Sequence, residues 1–144
     1  VIAGACSGTG VIPLREINGE TLLYPVGCGN INITDEQIEQ FKQIKQFYYM
    51  GSLDPASNDP FGMNEYGKLI SESSITMEEA MQLYKYVGKK MLPDRWQAIQ
   101  NLYLYLGVDA TFKTYDGVGH TPISATDDIK KLLLSEMKAK KLKM

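Results

Sequence analysis

A chain of 144 residues, 44% hydrophobic and 22% charged, has the makeup of one ordinary globular domain over residues 1–144, long enough to bury a sizeable core. A net charge of −2, no apolar run of membrane length and no segment built like a secretory signal argue against nucleic-acid and membrane partners. Two cysteines, Cys6 and Cys28, beside a single histidine make neither a disulfide framework nor a zinc set, so no cofactor or metal is expected and a reducing, cytoplasmic compartment is favoured.

In chain order, Val1-Ile2-Ala3 reads as the end of a buried strand that breaks at Gly4-Ala5-Cys6-Ser7-Gly8-Thr9-Gly10. Because the first residue already lies inside an apolar run, the chain reads as cut from something longer. The glycines match neither G-x-G-x-x-G nor a phosphate loop ending in Gly-Lys-Ser/Thr, so a loop leaving a strand top is expected. Pro13 to Gly29 carries Leu22-Leu23-Tyr24-Pro25-Val26-Gly27, a short extended piece in a Gly- and Pro-rich connection that would cover something beneath it. Thr34-Asp35-Glu36-Gln37 has capping-box spacing, which predicts a helix through Ile38 and Phe41 that stops before Lys45. Gln46-Phe47-Tyr48-Tyr49-Met50 then suits a central strand covered on both faces. It runs into Gly51-Ser52-Leu53-Asp54-Pro55, and an acid just past a buried strand sits where open α/β sheets place their chemistry.

Phe61 to Ser74 is polar and without period, and reads as loop or insertion. Thr76-Met77-Glu78-Glu79 is a second capping box, after which Met77, Ala80, Met81, Tyr84 and Val87 share a helical face, the methionines as packing. Asp94, after Pro93, is placed to cap a further helix with an apolar stripe of Trp96, Ile99, Tyr103 and Leu106, ending at Gly107. Ala110 to Tyr115 alternates, with Ala110, Phe112 and Thr114 opposite Thr111, Lys113 and Tyr115, so this strand should be less buried and at or near an edge. The lysines from Lys138 to Lys143 stand among Leu132, Leu133, Met137 and Leu142, as on the solvated face of a last helix.

The alternation predicts an α/β fold: a mostly parallel sheet, the Phe47 strand central, the Phe112 strand beside it, and helices on both faces. His120, the only histidine, follows the Phe112 strand through a turn containing Gly117 and Gly119. It reads either as an ordinary structural histidine or as a functional imidazole turned off a strand end toward an acid upstream.

On two stretches the sequence resembles the C-terminal half of an α/β-hydrolase. Phe47 to Asp54 looks like the strand and Gly-x-x-Asp turn that bear that family's acid, and Ala110 to His120 looks like its last strand and histidine loop. Tyr24-Pro25-Val26-Gly27 adds a likeness to esterase-like members. The resemblance implies a Ser-His-Asp hydrolase acting on an ester or related acyl substrate, with Asp54 and His120 in the family's chain order of nucleophile, acid, histidine. No G-x-S-x-G sequence is present, so the resemblance places the serine and the oxyanion donors before Val1. Ser7 is the weaker substitute, lacking that glycine frame. Asp59 is the alternative acid, and Asp116, only four residues from His120, is better suited to bonding its own turn. Such a chain would partner the N-terminal half of the same protein or further copies of itself, and would be inactive alone. The competing reading is a non-catalytic scaffold or interaction domain that pairs through an open sheet edge.

Overall fold

The computed structural model of the chain describes residues 2–3, 11–54, 76–88 and 90–143. Among the described residues the strands and α-helices follow in the order β1 (Ile2–Ala3), β2 (Glu16–Ile17), β3 (Glu20–Thr21), α1 (Asp35–Gln43), β4 (Gln46–Gly51), α2 (Met77–Tyr86), α3 (Trp96–Leu106), β5 (Ala110–Tyr115) and α4 (Thr126–Lys143). The fold is mixed α/β. Its main sheet is small and parallel, in the order β1-β4-β5, and β2 and β3 form a separate antiparallel hairpin.

β4 lies in the middle, and all six of its residues are buried. The alternation of side chains along a strand divides them between two cores. Tyr48 and Met50 face Leu83, Trp96, Ile99 and Tyr103, from α2 and α3. Phe47 and Tyr49 face Ala125 with Ile129 and Leu132 of α4. Gln46, the carboxamide in the strand, is fully buried and bonded at both ends: its amide donates to Phe41 O at 2.8 Å and its carbonyl accepts from Tyr48 OH at 2.6 Å. That pairing removes the penalty of burying a carboxamide. β5 keeps Phe112 on the α3 side, stacked on Tyr48, and Tyr115 on the α4 side, edge-on to Tyr49. It is only half-buried, as expected of a strand that borders the sheet.

Both capping boxes form. Thr34 and Gln37 cap α1, and Thr76 and Glu79 cap α2, each pair exchanging side-chain and backbone bonds. The inward face of α2 differs from the sequence expectation: Ala80, Gln82, Leu83 and Val87 are buried, whereas Met77 is 41% and Met81 54% exposed. The hairpin decides this. Gln82 donates to Thr21 O at 2.8 Å and accepts from Leu23 N–H at 2.8 Å, which turns residues 80, 83 and 87 toward the sheet. Asp94 does not cap α3. The backbone is already helical at Arg95, whose N–H bonds Lys90 O at 3.0 Å, and Trp96 N–H goes to Met91 and Pro93 carbonyls, so the preceding wide turn supplies the bonds a cap would make. α3 ends on Gly107 in the left-handed conformation. Within the stretch at 22–27, expected as a short extended piece, the chain turns at 24–26, with Leu22 and Val26 in the core. The glycine run at 4–10 with Cys6 and Ser7, the acid Asp59 and the segment 61–74 lie outside the described residues.

Candidate active site

β4 and β5 pair in parallel from Gln46 opposite Ala110 to Gly51 opposite Tyr115, so both strands finish at the same level. The two loops that follow are sewn together. Ser52 N–H donates to Tyr115 O at 2.9 Å and Leu53 N–H to Val118 O at 2.9 Å, so the ladder continues one loop against the other beyond the strands. Asp54 N–H closes a tight turn onto Gly51 O at 3.2 Å. Gly51 is required for this approach: a Cβ there would lie 2.1 Å from Val118 O and 2.4 Å from Gly119 O. Gly117, at φ 71°, makes the reversal that brings the second loop back over the first.

Asp54 is 1% exposed, and its Oδ2 lies 2.9 Å from Nδ1 of His120, a side chain 54% exposed. An ionised carboxylate accepts hydrogen bonds and does not donate them, so in a bond to an ionised Asp54 it is Nδ1 that carries the proton. The arrangement is asymmetric, with the acid enclosed behind and the imidazole forward and open to solvent.

Of the residues singled out in sequence, Asp54 and His120 are brought together, whereas Asp116 serves elsewhere: its Oδ1 accepts from Ser52 Oγ at 3.2 Å, and Ser52 Oγ in turn accepts from Gly117 N–H at 2.8 Å. Ser52 and the constraint at Gly51 were not singled out by sequence reasoning. Their signal was the Gly-Ser pair between a buried strand and an acid, a place where small residues permit close backbone approach.

A cleft of about 460 Å³ lies on another part of the molecule, lined by Val11, Pro13, Cys28, Ile31, Ile38 and Phe41 among others; neither Asp54 nor His120 borders it. Burial pushes the Cys28 thiol up from its ordinary value, which favours its uncharged form. Among the described residues no group of three His, Cys, Asp or Glu is placed to hold a metal ion, and no helix is long and apolar enough to cross a membrane. No family model, curated protein or solved structure matches the chain.

Proposed function

We propose that this chain supplies the acid and the histidine of a Ser-His-Asp hydrolase of the α/β-hydrolase type, acting on an ester or related acyl substrate. The observation that carries the reading is the 2.9 Å contact between Asp54 and His120 just past the C-terminal ends of adjacent parallel strands. Asp54 holds the imidazole with its proton on Nδ1 and stabilises the ring once it becomes positive. Nε2 is then the nitrogen that takes a proton from the serine and later delivers it to the leaving alcohol. Reaction of the hydroxyl with the acyl carbonyl forms the Oγ–C bond and expels the alcohol; water, giving its proton to the same histidine, then attacks the acyl carbon, the Oγ–C bond breaks, the acid leaves and the histidine returns the proton to the serine. The serine is supplied from outside the 144 residues, since none of these lies in a G-x-S-x-G frame. The resemblance of Phe47–Asp54 and Ala110–His120 to the family's acid and histidine segments supports the same assignment.

The experiment is covalent labelling of the native protein carrying this chain with a fluorophosphonate, followed by the same labelling of Asp54→Asn and His120→Ala. Labelling of one serine, slowed strongly in both variants, is the expected result. Equal labelling of all three proteins, or none of any, overturns the assignment.

A second reading, a scaffold that pairs through a sheet edge, is favoured by one observation: among the described residues no strand lies on the outer side of β1. In that case His120 and Asp54 only fasten two loops.

A further inference from the structure

We infer that Ser52, through Asp116, is a positioning residue for the Asp54–His120 pair: its hydroxyl is the side-chain stitch that holds the acid turn against the histidine loop. The inference rests on the reading of that pair as the working dyad.

The acid and the histidine sit on different loops, and each loop follows a strand that has already ended. Their 2.9 Å contact therefore depends on what fixes the loops to one another. The backbone contributes Ser52 N–H to Tyr115 O and Leu53 N–H to Val118 O, both near the strand ends. Between them lies one side-chain connection that uses both capacities of a hydroxyl. Ser52 Oγ donates to Asp116 Oδ1 at 3.2 Å and accepts from Gly117 N–H at 2.8 Å. The second bond holds the residue at which the histidine loop reverses, Gly117 at φ 71°. Asp54 stands two residues beyond Ser52 and His120 three beyond Gly117, so the hydroxyl ties both branches of the site at nearly equal leverage.

Threonine keeps the same hydroxyl, donor and acceptor together. Alanine deletes the donor and the acceptor together, and among the described residues the seam keeps the backbone bonds of Ser52 and Leu53 and the Asp54–His120 contact itself. At 3.2 Å the Ser52–Asp116 bond is long for a hydroxyl donor, so the bond from Gly117 N–H at 2.8 Å is the firmer half of the stitch. Small displacements of a catalytic group cost disproportionately in rate, so a stitch outside the reacting atoms still governs them.

The single histidine makes the test direct, because every imidazole signal of the chain belongs to residue 120. The ring ¹⁵N shifts of the neutral imidazole report the share of molecules with the proton on Nδ1, and the exchange rate of that proton reports how firmly the carboxylate holds it. In Ser52→Ala we expect the Nδ1–H share to fall and proton exchange to quicken by about tenfold, the change produced by loss of about 1.4 kcal/mol from an equilibrium. Asp116→Ala should act in the same direction from the other end of the bond, and Ser52→Thr should retain the native signals. The melting temperature of all three should stay close to that of the unaltered chain. Native imidazole signals in both Ser52→Ala and Asp116→Ala overturn the inference, as does a fall in melting temperature that accounts for the change. Asp54→Asn is the control that separates the two ideas. A large change there with none in Ser52→Ala refutes the stitch and leaves the dyad standing; no change in Asp54→Asn refutes the dyad and the inference with it.

Discussion

The backbone of Gly51 lies against the carbonyl of Val118 so closely that a Cβ at residue 51 would stand 2.1 Å from the oxygen. Neither partner can yield by rotating a side chain, because both surfaces are backbone. Gly51→Ala should therefore push the histidine loop away from β4, at a cost of about 1–3 kcal/mol as for other overpacked sites. Chemical denaturation measures that loss, and loss of the native His120 signal should accompany it. An alanine variant as stable as the original, with an unchanged imidazole, would mean that the loop packs differently.

Tyr103 tests the core on the α3 face. It is 1% exposed, packs on Phe41, Tyr48 and Phe112, and donates to Val11 O at 2.8 Å. Burial, with Tyr48 beside it, holds its phenol far above the ordinary range, so it acts only as a neutral donor. Tyr103→Phe, which keeps the ring, should cost about 1 kcal/mol. Tyr103→Ala, which also leaves a cavity, should cost about 3–5 kcal/mol. Denaturation midpoints of the two variants check the order; near-equal values would place the energy in the hydroxyl instead of the ring.

The link between the hairpin and α2 should weaken in acid. Lys85 Nζ donates to Glu20 Oε2 at 2.7 Å, Tyr86 OH donates to the same oxygen, and Gln82 donates to Oε1 at 3.2 Å. The Lys85 bond above all, and then the Tyr86 bond, lowers the Glu20 carboxyl from 4.5 to about 2. A carboxyl whose folded value lies below its unfolded one stabilises the fold above the unfolded value and loses that contribution as pH falls toward the folded one. Stability should thus decline from roughly pH 4.5 toward pH 2. Asp128, lowered by its bonds from Lys113 and Tyr115, adds to the decline on the opposite side of the sheet. Thermal melts at stepped pH should show a shallower acid slope in Glu20→Gln; equal slopes would remove Glu20 from the account.

Self-association should be seen for the isolated chain. α4 carries Leu133, Leu134 and Met137 at 45%, 57% and 65% exposure, and β1 has a strand on one side only among the described residues. Apolar surface and unpaired strand edges recruit further chains. Sedimentation over a range of concentrations should return masses above that of one 16.1 kDa chain; a single monomeric mass throughout would refute the expectation.

The parts of the fold legible in the sequence are those written in local chemistry. The capping boxes at Thr34 and Thr76 locate two helix starts because both partners of the box lie within four residues. The unbroken apolar run of β4 and the alternation of β5 separate the central strand from the border strand through the periodicity of burial alone. The hairpin at Ile17-Asn18-Gly19-Glu20 was equally local, an Asn-Gly pair at φ 50° and 80°, yet no strand was expected there because its flanks are only two residues long. What the sequence hides is the choice between stripes. Of the expected stripe Met77, Ala80, Met81, Tyr84 and Val87, Ala80 and Val87 are buried but Met77 and Met81 are exposed and Leu83 is buried instead, a rotation that fits Gln82 reaching a hairpin sixty-one residues away in sequence. The Ser52–Asp116 bond spans sixty-four residues and is invisible for the same reason.

The most direct test of the central claim is ester turnover by the native protein carrying this chain, measured on an activated ester for Asp54→Asn, Asp59→Asn and Ser7→Ala side by side. The account predicts that Asp54→Asn lowers kcat by roughly 10⁴-fold, since the ring is then held in the wrong tautomer, while Asp59→Asn and Ser7→Ala remain within a few-fold of the original. Full turnover in Asp54→Asn, or its loss in Asp59→Asn alone, would contradict the assignment of Asp54 as the acid.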